Sequence, residues 1–306
     1  MKQAKIYAIG NPGIKWGSDE KRAWRALQKI QRSYKLEVLN KMEAVGDYFS
    51  LIQYGALSYS INDYPLFIFK SQHWKHHQPT VLVTGGVHGY ETSGVEGAIR
   101  FATTISEDLL NQFNFLIAPC VSPWGYETIN RWNPNTLDPN RCFYSNSPSE
   151  EAFFLMEYLR SLDIKFSLHI DLHETTDTDN SEFRPALLAR DALQEKYSDI
   201  PDGFYLVGDS SKPQGDFQRA IIDAVQSVTH IAPADQNNAL IGTPIAQFGV
   251  INYAARELGL CMGLTDAALV TTTEVYPDSP LVDQENCVNA QVAAIHAAID
   301  YLCQEN

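Results

Sequence analysis

Thr80-Val81-Leu82-Val83-Thr84-Gly85-Gly86-Val87-His88-Gly89-Tyr90-Glu91 is the stretch whose reading decides the fold. Thr80 to Val87 is apolar without alternation, the pattern of a strand buried on both faces. Gly85-Gly86 lets the backbone turn without a Cβ penalty, and a helix-like run follows from Thr92 to Thr104 through Gly97, Ala98, Ile99 and Phe101. A second apolar strand is expected from Asn114 to Cys120. Strand, turn, helix and strand in that order imply a mostly parallel sheet, with His88 and Glu91 at its carboxyl edge, where open α/β folds keep their sites. An imidazole and a carboxylate at this spacing can share one metal ion, although an isolated H-x-x-E quartet also arises by chance as a surface His and a solvated Glu.

Outward from this unit, Ser18-Asp19-Glu20 followed by Trp24, Leu27 and Ile30 reads as a capped amphipathic helix. Tyr48 to Phe69 reads as two or three short strands broken by Gly55 and Asn62-Asp63. Ser122 to Ser149 lacks periodicity and reads as a long loop, of the kind that carries function. It ends in Ser147-Pro148-Ser149-Glu150, where Ser147 can cap a helix running through Phe154, Tyr158 and Leu159. Strands are expected at Lys165 to Leu172, Gly203 to Val207 and Ala267 to Thr273, and helices at Gln214 to Val228, Tyr253 to Leu258 and Gln284 to Leu302. With no repeat and no linker, the expectation is an α/β fold. It is a single domain over residues 1–306 with a mixed, mostly parallel central sheet flanked by helices, and residues 1–75 form its N-terminal helix and strand layer.

The formal net charge of −14 over 306 residues argues against nucleic acid and anionic membrane surfaces as partners. The first residues lack the apolar core of a secretory signal, no later run is long and apolar enough to span a bilayer, and a cytoplasmic location is expected. Five widely spaced cysteines without a C-x-x-C pair point to free thiols rather than disulfides or a thiolate metal site.

A hydrolytic zinc site needs three protein ligands and an open position for water. His88 and Glu91 supply two, and His173, at the end of an expected strand and flanked by acids, is the best third. His169 and Asp171 share its strand face; Asp171 can orient an imidazole, while His169 reads as a satisfied core histidine. His73, His76 and His77 sit in a polar connection and His296 in the terminal helix, and neither these nor His230 has the setting of a ligand. A proton acceptor for the attacking water is also required, and Glu274, beside the strand Ala267 to Thr273, fits that role as well as it fits an exposed strand end. Arg131 and Arg141, within one polar loop beside Asn140, can form an anion site.

Taken together these residues resemble the zinc carboxypeptidase family over roughly Tyr48 to Pro280. Gly85-Gly86-Val87-His88-Gly89-Tyr90-Glu91 is similar to its first metal motif, Asp138-Pro139-Asn140-Arg141-Cys142-Phe143 to its Asp-x-Asn-Arg-x-Phe signature, and Pro119 to Tyr126 to its proline-rich strand end. The resemblance implies one zinc ion on His88, Glu91 and His173, with Glu274 as general base and Asp138 as a partner of His88. It also implies Arg131 at the oxyanion, Asn140 and Arg141 at a substrate carboxylate, and a mobile tyrosine, for which Tyr253 and Tyr276 are candidates. Asp171-Leu172-His173-Glu174-Thr175 is instead similar to the aspartoacylase and succinylglutamate desuccinylase branch, which has the same metal site but cleaves acyl groups from amino acids. The leading expectation is a metallocarboxypeptidase acting on peptides with a free carboxylate. An N-acyl amino acid deacylase is the alternative, and a non-catalytic peptide-binding relative a third reading.

Overall fold

The computed structural model describes residues 7–59, 64–194 and 197–305. Its strands are Phe49–Ala56 (β1), Pro65–Ser71 (β2), Thr80–Gly85 (β3), Asn114–Ala118 (β4), Phe166–Glu174 (β5), Tyr205–Asp209 (β6), Ala239–Leu240 (β7), Thr243–Pro244 (β8), Val250–Tyr253 (β9) and Leu269–Val275 (β10). Its α-helices are Ser18–Leu27 (α1), Asn40–Glu43 (α2), Thr92–Thr104 (α3), Glu107–Gln112 (α4), Pro123–Thr128 (α5), Glu150–Ser161 (α6), Arg184–Asp191 (α7), Gly215–Val225 (α8) and Gln284–Glu305 (α9). Eight strands form one sheet in the order β1-β2-β4-β3-β5-β10-β6-β9, and β7 and β8 pair separately. β4, β3, β5 and β10 run parallel at its centre, with antiparallel joints at β2 to β4 and at β10 to β6.

Residues of the central strands alternate between two cores, as a period-2 backbone requires. Val81, Val83, Phe115, Ile117, Leu168, Ile170 and Leu172 pack with Val95, Ala98, Ile99, Ala294 and Ile295 of α3 and α9. Leu82, Leu116 and Ala118 face the other way, toward Ala152, Leu155 and Leu159 of α6. The sheet is therefore covered on both sides, which is why β3 and β4 are buried along their whole length.

The turn after β3 is set by close packing. Gly86 has φ +57°, and a Cβ on Gly89 would lie 2.0 Å from the Tyr126 nitrogen and 2.2 Å from the Ser122 oxygen. Arg32 clamps this turn from outside. Its Nε donates to the Tyr126 carbonyl at 2.6 Å, Nη1 to Thr92 Oγ1 at 2.7 Å and Nη2 to the Gly89 carbonyl at 3.0 Å, with the guanidinium 3.6 Å above the Tyr126 ring. From behind the sheet, the wholly buried Gln291 of α9 donates through Nε2 to the His173 carbonyl at 2.9 Å.

Several sequence expectations shift. β1 and β2 extend the main sheet as its edge instead of forming a layer of their own, and Gly55 sits at a register shift within β1; Asn62-Asp63 lies outside the described residues. In α1 the cap is Gly17, and only Trp24 of the expected apolar face is buried, Leu27 and Ile30 being 63% and 69% exposed. α6 begins at Glu150 with Ser149 as its cap, two residues beyond Ser147. The expected helix over Tyr253 to Leu258 is absent: Tyr253 ends β9, and the chain then turns through 255–259 to a positive-φ glycine, Gly259. β5 and β10 each run two residues further than the sequence suggests, so that His173 and Glu274 lie inside strands. No described helix is long and apolar enough to cross a membrane.

Arg32→Met keeps the aliphatic stem but leaves the carbonyls of Gly89 and Tyr126 without their charged donor. A loss of about 2–4 kcal/mol is expected in denaturant unfolding; a loss below about 1 kcal/mol would show that packing alone holds the turn.

Candidate metal centre and active site

His88, Glu91 and His173 come together although they enter from two strand ends, because β3 and β5 are parallel neighbours with Gly85 opposite Leu172. All three are buried, and their ligand atoms lie within 4.8 Å of one another. His88 Nδ1 is 2.7 Å from Glu91 Oε1, and His173 Nδ1 is 2.8 Å from Glu91 Oε2. The second approach lacks hydrogen-bond alignment, and Oε2 has no hydrogen-bond partner among the described residues despite its burial. A buried carboxylate oxygen without a donor is costly, and three donor atoms aimed at one point is the arrangement a divalent cation satisfies. The residues present thus fit a metal of the nitrogen and oxygen binding class, which includes zinc.

The outer nitrogens of both imidazoles are held by carboxylates. His88 Nε2 lies 2.9 Å from Asp138 Oδ1, and His173 Nε2 lies 2.8 Å from Asp171 Oδ2. Such pairs place the proton on Nε2 and leave the Nδ1 lone pair for a metal. Burial raises the Asp138 carboxyl, but Arg131 and His88 outweigh it and hold it well below the usual range. Burial acts against Glu91 too, yet His173 and His88 bring it to about 2; the charges of Glu91 and Asp171 likewise overcome burial and raise His173 well above its ordinary value.

Glu274 stands beside this cluster by register, paired with His173 on one side and Tyr205 on the other. Thr175 Oγ1 donates to its Oε2 at 2.9 Å and lies 2.7 Å from the Tyr205 hydroxyl. Burial pushes Glu274 up to about 8; His173 opposes that and Glu91 adds to it.

His88, Asp138, Thr175, Tyr205 and Glu274 line one cavity of about 710 Å³. Arg131 lines it, its Nε 3.0 Å from Asp138 Oδ2 and its Nη1 3.2 Å from Asp179 Oδ1. Asn140 is turned inward, Oδ1 accepting from the Cys261 nitrogen at 2.7 Å and Nδ2 lying 3.4 Å from His173 Nε2. Arg141 follows on the 3₁₀ turn Pro139–Arg141; its Nη1 reaches only the Asn140 carbonyl at 2.7 Å, and no carboxylate of the described residues pairs with it. Tyr253 lines the cavity and accepts from Thr243 Oγ1 at 3.2 Å, whereas Tyr276 does not line it and donates to Asp177 Oδ1 at 2.9 Å.

The sequence reading missed part of this wall. Lys15, Trp16 and Lys21 reach the cavity from the N-terminal segment, and Arg184 lines it from α7. Tyr205 and Asp179 were also missed; the alternation of β6 and the polar loop after His173 were the available signals. Of the other histidines, His230 pairs with Asp202 Oδ1 at 2.9 Å and His296 packs edge-on against Phe101.

The fold is that of the metallo-carboxypeptidases. A Shewanella amazonensis structure assigned as a metallopeptidase superposes with a TM-score of 0.66 at 20% identity, covering 86% of this chain and 90% of that one. A metallo-carboxypeptidase of Burkholderia cenocepacia gives 0.57 at 17%, covering 86% and 68%. One of Pseudomonas aeruginosa, in complex with (2-guanidinoethylmercapto)succinic acid, gives 0.58 at 14%, covering 87% and 68%. Residues 77–198 match the family model of the succinylglutamate desuccinylase/aspartoacylase catalytic domain. The fold and the family match over residues 77–198 both bear out the resemblance read from the sequence. No curated protein matches the chain.

A carboxyl that keeps its proton to about pH 8 when folded, but loses it near its ordinary value when unfolded, subtracts stability progressively as pH rises between the two. Metal-free Glu274→Gln is therefore expected to melt roughly 3 °C or more above metal-free wild type near pH 8, with the gap closing near pH 5. Equal melting temperatures at both values would show that Glu274 is not raised.

Proposed function

We propose that the protein is a zinc-dependent carboxypeptidase that releases C-terminal residues from peptides. The observation that carries this reading is a three-donor metal cluster that meets a cavity through His88, with a carboxyl adjacent to it in register and an arginine without a carboxylate partner among the described residues lining the same cavity. His88, Glu91 and His173 would hold one zinc ion, whose Lewis acidity brings water toward ionisation near neutral pH and polarises a carbonyl.

The chain's own residues supply the rest. Glu274, held at Oε2 by Thr175, accepts the proton of the attacking water and delivers it to the leaving amine; its raised pKa suits a group that must both take and give a proton near neutrality. Arg141 binds the terminal carboxylate, with Asn140 beside it and Tyr253 lining the same cavity. Arg131, locked by Asp138 and Asp179, presents a fixed positive charge where the oxyanion develops. A cavity of about 710 Å³ has room for more than a single residue. Hydrolysis of N-acyl amino acids by the same groups is the second reading, and the family match over residues 77–198 is the observation that favours it.

A screen of C-terminal release from a peptide library, run beside a panel of N-acyl amino acids, decides between the two. Glu274→Gln should lower kcat by about 10²- to 10⁴-fold while zinc content stays at wild-type level. Arg141→Ala should raise KM with a smaller change in kcat, because its contact is made equally before and during reaction. Wild-type rates in Glu274→Gln would sink both readings, and turnover of acyl amino acids alone would overturn the peptidase.

A further inference from the structure

Beside the metal cluster lies a second group of buried polar side chains, His169, Asp171 and Cys261, whose ligand atoms also lie within 4.8 Å of one another. The Thr84 hydroxyl sits among them. Its Oγ1 is 2.6 Å from Asp171 Oδ1, 3.0 Å from His169 Nε2 and 3.5 Å from Cys261 Sγ. This group is joined internally by protein hydrogen bonds, which argues against a second metal there and for a different task.

The connectivity has one consistent direction. Thr84 has a single proton, and the short approach to Asp171 assigns it to that carboxylate. The hydroxyl oxygen is then free to accept from His169 in its Nε2–H tautomer. Burial holds His169 down to about 4, against the pull of Asp171, so the ring is neutral with one N–H to give. At the far end Asp171 Oδ2 takes the proton of His173 Nε2. The strands enforce the order, since Thr84 lies opposite Asp171 and Leu82 opposite His169 in the parallel register of β3 and β5.

We propose that Thr84 and His169 are positioning residues, which fix the Asp171 carboxylate so that His173 presents its Nδ1 lone pair to the metal. The inference rests on the reading of His88, Glu91 and His173 as metal ligands. Without an anchor on Oδ1 the carboxylate is free to rotate about its Cβ–Cγ bond and lose its grip on the imidazole. Valine would fill the Thr84 site in shape and suit the apolar strand around it, so a fully buried hydroxyl there is a cost that the carboxylate contact offsets.

The test is zinc affinity, measured by competition with a chromophoric chelator on the full chain, together with melting of the metal-free protein. Thr84→Val should weaken zinc binding about 10- to 100-fold. Thr84→Ser, which keeps the hydroxyl, should stay within about threefold of wild type, as a rescue that a purely space-filling role would not show. Should Thr84→Val fail to fold, His169→Phe carries the test and should weaken binding at least threefold. A folded Thr84→Val or, in its place, His169→Phe that binds zinc as tightly as wild type overturns the proposal. So does Thr84→Ser losing as much affinity as Thr84→Val. Wild type that binds no zinc overturns the metal reading itself, and these results are distinct.

Discussion

A carboxylate with no exposure to water, Glu91, sits between two imidazoles, and the rest of the structure is arranged to make that tolerable. Burying a carboxylate costs several kcal/mol unless opposite charge and hydrogen bonds compensate. The compensation comes from both sides of a strand pair: His88 after β3 and His173 within β5. Those two rings need anchors of their own, which Asp138 and Asp171 provide, and Asp138 in turn is neutralised by Arg131. Each layer of partners is fixed by the next one out, to the Arg32 clamp on the turn.

The carboxyls around the cavity divide into two populations. Glu91 and Asp138 are surrounded by positive groups and stay ionised, whereas Glu274 meets burial and the charge of Glu91 and holds its proton. Metal ligands must be ionised, while a group that shuttles protons works best when its pKa lies near the working pH. One strand position separates the two environments, since Glu274 and His173 are register partners. A chain of net charge −14 nevertheless leaves Arg141 in the cavity wall with no carboxylate partner among the described residues, the feature that most clearly calls for an anionic ligand.

The β3 unit and α3 were legible in the sequence because local signals and tertiary role agree there: an uninterrupted apolar run is what a doubly covered strand needs, and Gly86 occupies a backbone conformation with positive φ. The bringing together of His88, Glu91 and His173 follows from strand ends sharing an edge, and needs only the parallel order. Sequence reasoning failed where long-range contacts decide. Tyr253 to Leu258 has helical composition, but β9 pairing with β6 extends its first residue, and Gly259 approaches to 2.9 Å of the Arg141 carbonyl, measured from where its Cβ would stand. Lys15, Trp16 and Lys21 could not be placed at the cavity because nothing local says where an N-terminal segment docks; the backbone bond from Trp16 to the Arg190 carbonyl does so. Tyr205 was invisible for the same reason, being brought to Glu274 by an antiparallel pairing of distant strands.

Gln291 adds a consequence in time. It reaches through the sheet from α9 to hold the carbonyl of His173, more than a hundred residues earlier in the chain. During translation the strands that carry both imidazoles emerge long before this amide does. The backbone under His173 therefore gains this support only after α9 has docked, and the candidate metal centre matures with that helix in place instead of in a partly synthesised chain.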